Sequence, residues 1–434
     1  MAAAPKAARF PWRRAALWFA LGLVCRVLAF QIPHDEGDEI IYRALVHQLE
    51  DGSGYTLRGT ALVDHGWPAD QYGHALFFHP PGGIALFWLL DRMFSEWGYA
   101  LAQLLSYALF YWSVMALARS LLADGGEPAA RAGFQIIAAL GAFMPLMTHV
   151  VARYWLDGPM LGLVTLAAAL YLRAQGAGAA GGMRTAHPRA PDAGGTGAVI
   201  AAGIALGCAS WAKTAALIAL PAIVLLGAAL DPAGARRGVR RGAIFAGVAL
   251  AIQAPWQIWQ WIVLGSPFPA WAGRPSPTLV AENPYVRRLT VDRPPWIYLT
   301  LMPRVVWTLV PALLGLALAP LDARTRRVGL ALAAWIAIVT GVMIALGAIG
   351  YSKLLRYAIL VAPASVLLFG LVAGSVLAIA TDADAPAGRR MAARAFAAIA
   401  AAGLVLEIAQ GVFTPLVDKR DLIWPLLWRG NGLY

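Results

Sequence analysis

Four short stretches hold residues whose types and spacing could do chemistry. HDEGDEIIY at 34–42 puts four carboxylates, Asp35, Glu36, Asp38 and Glu39, within five residues. A carboxyl group crowded by others beside a low-dielectric phase holds a proton more readily, which suits a general base. The competing reading is a solvated acidic loop in which Asp38 or Glu39 favours the N-terminus of the next helix. FFHPPGG at 77–83 fixes His79 ahead of the extended Pro80-Pro81 backbone, where it could donate to a phosphate, bind a metal or simply be a hydrogen-bonded loop residue. RYWLDGP at 153–159 sets Asp157 between two apolar segments, as a functional carboxylate or as an interfacial cap beside Gly158-Pro159. Cations follow: Lys213 in WAKTAAL, and Lys353 with Arg356 in YSKLLRY. Snorkelling to the interface is the plain reading of Lys213. Carboxylates and cations gathered on one face are what a transfer with a phosphate leaving group needs: one group takes a proton from the nucleophile and others stabilise charge on the departing phosphate.

The elements that must position these residues are membrane helices. The chain has 434 residues, 60% hydrophobic and 13% charged, about half the usual charged fraction of a soluble domain. Apolar segments of roughly 20 residues can cross the bilayer, and eleven are expected: 14–33, 97–122, 132–150, 157–173, 196–211, 214–230, 242–264, 296–319, 328–349, 357–380 and 394–413. The first is read as a retained helix rather than a cleaved signal, because it is long and holds Arg26; Arg26 is expected within reach of the acidic loop. The net charge of +12 is carried by arginine runs in short connections, which reads as topology and not nucleic-acid binding. The runs at Arg13-Arg14, 119–131, 173–189, 236–241, 324–327 and 389–394 would face the cytoplasm, with the N-terminus inside and the C-terminus outside. The longer connections 34–96 and 265–295 and the tail 414–434 then lie outside. The first of them holds amphipathic stretches, IIYRALVHQL and IALFWLLDRMF, too short or too charged to span. The 174–195 connection is rich in Gly, Ala and Pro and reads as flexible. Cys25 and Cys208 fall in apolar segments without disulfide or metal-ligand spacing and read as packing residues.

In order and spacing these stretches resemble the GT-C superfamily, in particular the branch with protein O-mannosyltransferases and lipid A aminoarabinose transferases. Asp38-Glu39-Ile40-Ile41-Tyr42 is similar to D-E-x-x-Y after the first helix, and Gly52-Ser53-Gly54-Tyr55 to the G-x-G-Y that follows. His79-Pro80-Pro81 resembles the Pro-Pro segment, Tyr154 to Pro159 the D-x-P motif, and Ala212-Lys213-Thr214 with Leu220-Pro221 the T-K-G…L-P stretch. Pro255-Trp256 with Gly265-Ser266-Pro267-Phe268 resembles a further segment, and Arg356-Tyr357 with Pro363 resembles R-Y-x-x-x-x-x-P. The resemblance covers about residues 14–370. Phe78-His79 stands where aminoarabinose transferases have Glu-Lys, Thr214 stands where Gly is usual, and the outer loops are expected to recognise the acceptor in place of the folded soluble C-terminal domain that several relatives carry.

The resemblance implies one all-α polytopic domain over 1–434, a GT-C-type bundle of about eleven transmembrane helices with interfacial helices in the first outer loop, in a bacterial inner membrane with its site facing the periplasm or exterior. It implies inverting transfer of a sugar from a polyprenyl-phosphate donor to a hydroxyl of a lipid, glycan or protein acceptor. Asp38 is the expected base. Glu39, Asp157 and Tyr42 are expected to orient the acceptor or a cation. Lys213, Arg356, Lys353, His79 and Arg153 are expected at the donor phosphate. Cations of this kind can neutralise a monophosphate, so no cofactor is required, though a divalent metal has room in this scheme. A lipid or polysaccharide transporter or flippase is the alternative, for which charges should line a path through the bilayer and internal duplication is common; no internal repeat is visible. A non-catalytic membrane scaffold is a third reading, favoured if Asp38, Lys213 and Arg356 do not converge.

Overall fold

A computed structural model describes residues 10–29, 38–57, 59–60, 79–123, 126–151, 153–175, 193–231, 235–267, 280–281 and 284–413. Among these, all regular structure is helical. The acidic pair Asp35 and Glu36, the stretch Phe77-Phe78, most of the 174–195 connection and the 414–434 tail lie outside the described residues.

The helices are α1 (Trp12–Ala29), α2 (Asp38–Glu50), α3 (Gly82–Phe94), α4 (Gly98–Leu122), α5 (Glu127–Phe143), α6 (Pro145–Val151), α7 (Asp157–Ala174) and α8 (Ala193–Ala212). They continue as α9 (Ala219–Leu230), α10 (Ala235–Leu264), α11 (Ile297–Val305), α12 (Leu309–Leu318), α13 (Ala323–Ala348), α14 (Ala362–Thr381) and α15 (Ala387–Phe413). Local rules set several starts. Proline occupies the first turn of α5 and of α14, where a missing N–H is harmless. Asp322 caps α13, accepting from the backbone N–H of Arg324 at 3.0 Å and of Thr325 at 2.9 Å.

Among the described residues seven segments are long and apolar enough to cross a membrane, or eight when the broken pair α11–α12 is counted as one span. This is a multi-pass membrane protein. The other three expected spans are helical but do not meet that measure. α1 carries Arg13, Arg14 and Arg26, α7 begins on Asp157, and Thr214–Leu230 is short. The span expected at 296–319 is bent by 98° at Val306–Thr308. Glu407 of α15, fully buried, holds this break by accepting from the N–H and hydroxyl of Thr308 at 2.9 and 2.7 Å, so it caps α12.

The centre of the bundle is α5–α6 and α14, with 89% and 94% of their apolar windows buried, against 28% for α10 and for α15 at the periphery. α5 and α14 approach through glycines. A Cβ on Gly133 would stand 2.7 Å from the carbonyl oxygen of Gly370, and one on Gly370 would stand 2.2 Å from Ile137 Cγ1. Small residues let membrane helices meet closely where apolar burial alone drives little association. Around this pair, α4 and α8 flank α7, and α8 packs on α10. α1 is tied to α5 by Arg26, which donates to the carbonyls of Gly22 (2.9 Å) and Ala142 (2.7 Å) and stacks 3.7 Å from the Tyr107 ring centroid. It also donates to the Thr148 hydroxyl at 3.4 Å, and the loop carboxylates Asp35 and Glu36 that it was expected to reach lie outside the described residues.

Two short helices, α2 and α3, follow α1, as expected for the first long connection. Each has 13 residues, too few to span. α2 buries Glu39, Ile41, Tyr42, Leu45 and Val46, one helical face, and lies against α3.

Candidate active site

The first residues of α2 reach two separate parts of the bundle. Arg356, in the turn 355–361 that leads into α14, donates through Nη2 to Asp38 Oδ2. Tyr42, one helical turn along from Asp38, brings its hydroxyl to 3.5 Å from the same oxygen. Glu39 points instead into the 153–156 segment, accepting from Arg153 Nη1 at 3.3 Å and from the Tyr154 N–H at 3.0 Å. A third pair joins α7 to α8: Lys213 Nζ donates to both oxygens of Asp157, at 2.8 and 2.9 Å. Six charged side chains from five parts of the chain thus form three pairs, three acids against three bases.

The backbone around them is held tightly. Gln103 of α4 donates from its amide nitrogen to the carbonyls of Arg153 and Trp155, both at 2.7 Å. Its oxygen would stand 2.0 Å from a Cβ on Gly158, so that glycine is needed for the approach. Tyr154 donates to Asp91 of α3 at 2.8 Å, and Asp91 also accepts from the Tyr99 N–H at 2.8 Å. Lys213 is extended between the end of α8 and the turn 214–218. The HPPGG stretch packs against this break: Cβ atoms on Gly82 and Gly83 would stand 2.9 Å from Trp211 O and 3.0 Å from Ala212 O.

Two aromatic rings organise the cations. Arg356 lies 4.2 Å from the Trp155 ring centroid and 5.3 Å from that of Tyr357; Arg153 lies 5.4 Å from Trp155, and Lys213 5.2 Å from Tyr357. Such contacts hold a desolvated cation against a ring face. His79 joins from the side, its ring 6.2 Å from that of Tyr42 and its carbonyl accepting from Tyr55 at 3.2 Å. Burial, and after it the nearby Lys213 and Arg356, hold the His79 imidazole well below its ordinary range, so it is neutral near neutral pH. Burial, followed by Asp38 and Asp157, pushes the Tyr42 phenol well above its ordinary range and keeps it a proton donor.

The pairs differ in accessibility. Both partners of Glu39–Arg153 are 1% exposed, and Asp157 is 1% exposed against 5% for Lys213. Asp38 is 29% exposed while its partner Arg356 is 5% exposed. The Arg356 Nε–H and the Trp155 indole N–H are buried with no acceptor among the described residues. Buried donors of this kind match a ligand rich in oxygen acceptors.

Of the residues expected from sequence, Asp38, Tyr42, Asp157, Lys213, Arg356 and His79 lie together, with Glu39 and Arg153 adjoining through Trp155. Lys353 packs differently. Its ammonium donates to the Thr290 carbonyl, its N–H donates to Leu289 O at 3.0 Å, and its own carbonyl accepts from Arg293 at 3.0 Å. Burial first, then Arg293, pushes the Lys353 ammonium below its ordinary range. Trp155, Tyr357 and Gln103 are the site residues that sequence reasoning missed. Their signals are an aromatic next to a flagged charge, as in RYWLD and LLRY, the place of Tyr357 in the R-Y motif, and a lone polar residue in α4. Among the described residues no three His, Cys, Asp or Glu side chains gather as a metal would need.

No family model matches the sequence, and no curated protein does. Solved structures do match in shape. ArnT from Cupriavidus metallidurans bound to undecaprenyl phosphate is similar over 92% of this chain and 77% of its own, with 20% identity and a TM-score of 0.57. The archaeal oligosaccharyltransferase AglB from Archaeoglobus fulgidus, in complex with an inhibitory peptide and a dolichol-phosphate, is similar over 92% of this chain at 15% identity and a TM-score of 0.50. This chain spans about half of AglB, 56% of its length. The multi-helix membrane fold expected from the sequence is thus one that this chain shares with these two proteins.

Proposed function

We propose that the protein is a membrane glycosyltransferase that moves a sugar from a polyprenyl-monophosphate donor to an acceptor hydroxyl. The observation that carries this reading is the convergence of Asp38, Arg356, Lys213 and Asp157, drawn from α2, the 355–361 turn, the end of α8 and the start of α7. An acid with an open face beside two desolvated cations is the arrangement that displacement of a phosphate requires. The similarity in fold to a protein bound to undecaprenyl phosphate and to one bound to a dolichol-phosphate supports the donor class.

In this reading the donor phosphate lies against Arg356 and Lys213, with the neutral His79 supplying a ring N–H. Asp38 takes the proton of the acceptor hydroxyl. The acceptor oxygen bonds to the anomeric carbon from the side opposite the phosphate, the carbon–oxygen bond to phosphate breaks, and the electron pair leaves on the polyprenyl phosphate. The configuration at the anomeric carbon inverts. Tyr42 orients Asp38 and the acceptor, and Asp157 orients Lys213. Glu39 and Arg153 fix the start of α2 onto the 153–156 segment. Two cations can carry the phosphate charge, so turnover is expected to survive a chelator. The arginine runs face the cytoplasm in this reading, which puts the site on the exterior face of a bacterial plasma membrane.

The test is a membrane assay with a panel of polyprenyl-phosphate sugars, following donor consumption and release of polyprenyl phosphate by mass spectrometry. One donor should be consumed by the wild type and spared by Asp38→Asn. Near-normal consumption by a folded Asp38→Asn protein would remove Asp38 as the base, and no consumption of any donor would remove the enzymatic reading.

A further inference from the structure

The site as it stands has its base engaged. A carboxylate tied to a guanidinium is a poor proton acceptor, because taking the proton would give up a charge-assisted bond. Arg356 is also the group best placed to meet a phosphate. Something must therefore separate the two before transfer can occur.

We propose that the donor phosphate and the Asp38 carboxylate compete for the Arg356 guanidinium, so that seating the donor is the event that releases Asp38 to act as base. This rests on the donor class given above. Three observations decide which partner gives way. Arg356 is held over the Trp155 and Tyr357 rings and is 5% exposed, so it stays. Asp38 is 29% exposed, the one open carboxylate of the three pairs, whereas Asp157 and Glu39 are closed in at 1%. The Nε–H of Arg356, buried and without an acceptor among the described residues, lies in the same planar group as the Nη2 that Asp38 occupies. A phosphate can take both donors at once, whereas Asp38 has only one of them. Tyr42, bonded weakly to Asp38 at 3.5 Å, remains beside the released carboxylate and keeps it at the mouth of the site.

The exchange orders the reaction. The donor binds before Asp38 can accept a proton, so an acceptor arriving first meets no free base. After transfer Asp38 carries the acceptor's proton and no longer competes for Arg356, which retains the polyprenyl phosphate. When Asp38 passes that proton to water it becomes an anion again, recaptures Arg356 and displaces the spent phosphate. Base regeneration and product release are then one step.

The test uses the purified full chain in detergent and undecaprenyl phosphate, without a sugar, as the probe. Asp38→Asn should bind the probe about tenfold more tightly than the wild type, since the competing charge is gone. Arg356→Ala should bind weakly, and Asp38→Asn added to Arg356→Ala should change nothing further, because there is no guanidinium left to free. Equal or weaker binding by Asp38→Asn overturns the exchange, as does a tightening that persists without Arg356, which would mean general charge repulsion. Those results leave the donor class standing if the wild type binds the probe. Failure of every folded variant and of the wild type to bind removes the donor class as well. If Asp38→Asn does not fold, Asp38→Ser, also uncharged, carries the same comparison.

Discussion

The two ends of the bundle use the same charged residue types in opposite ways. At the end that holds Asp38, six charges are drawn together from distant sequence, Arg356 and Asp38 being 318 residues apart, and most are desolvated. At the other end arginines come in runs, and Arg13, Arg14, Arg119, Arg131, Arg326 and Arg327 are exposed. Of its ion pairs, Arg131–Glu127 is four residues apart, 3.7 Å long and about half exposed on both sides, and Arg241–Asp231 is buried but joins residues only ten apart. An exposed pair of this kind contributes roughly 0–1 kcal/mol, whereas charges taken out of water are costly unless fully matched. The difference teaches that what marks the site is the gathering of several desolvated charges from distant parts of the chain, and not the number of charges.

That contrast can be broken at several points. Asp38→Asn should lower transfer by about 10³-fold, within the usual range for loss of a general base, as read by donor turnover in membranes. Lys213→Met leaves Asp157 closed in without its partner and should lower stability by about 3–5 kcal/mol, measured as thermal unfolding in detergent. Adding Asp157→Asn should restore most of that stability and none of the donor affinity. If Lys213→Met alone unfolds normally, the pair is not desolvated as described. Trp155→Leu should weaken undecaprenyl phosphate binding by about tenfold, because Arg356 loses its ring face, while Trp155→Phe should retain most of the binding; equal loss in both would point to packing rather than to the cation.

A smaller effect is expected with pH. The folded site keeps His79 from taking up a proton, whereas the unfolded chain takes one up near the ordinary value of 6.5. Stability should therefore fall as the pH drops through that value, by at most ~1.4 kcal/mol per pH unit. His79→Gln should lose this part of the acid-side decline in thermal midpoint. The smallest effect is expected at the opposite end, where Arg327→Gln should leave turnover within about twofold, since an exposed charge contributes little locally. A large loss there would mean that the two ends are coupled.

Much of the fold was legible because lipid imposes simple rules. The apolar runs and the arginine runs located the helices. The break at Val306–Thr308 was not legible, because MPRVVWTLVPALLG reads as one apolar run; Pro303 and Pro311 were its faint marks, and the residue that stabilises the break, Glu407, lies about a hundred positions later. At the site, individual charges were legible from motif order, but their pairing was not, since pairing is decided by helix packing. Lys353 shows why spacing misleads. It is three residues from Arg356, yet Leu354 between them is extended, and Lys353 is taken up by the segment at 289–293. Trp155 escaped notice because an aromatic beside a membrane boundary is ordinary.

Arg26 has a consequence for how the chain is made. In the folded protein it is fully buried and donates to the carbonyl of Ala142 on α5, a helix that is synthesised more than a hundred residues later. Until α5 arrives, α1 must sit in lipid with an arginine that lacks its final partner, at a penalty of about 2.5–3.5 kcal/mol on insertion scales if it lies near the bilayer centre. The first helix is thus a reluctant tenant of the membrane during biogenesis. Its lodging is secured only when the fifth helix docks, so assembly of the bundle and commitment of the N-terminus to its place are completed together.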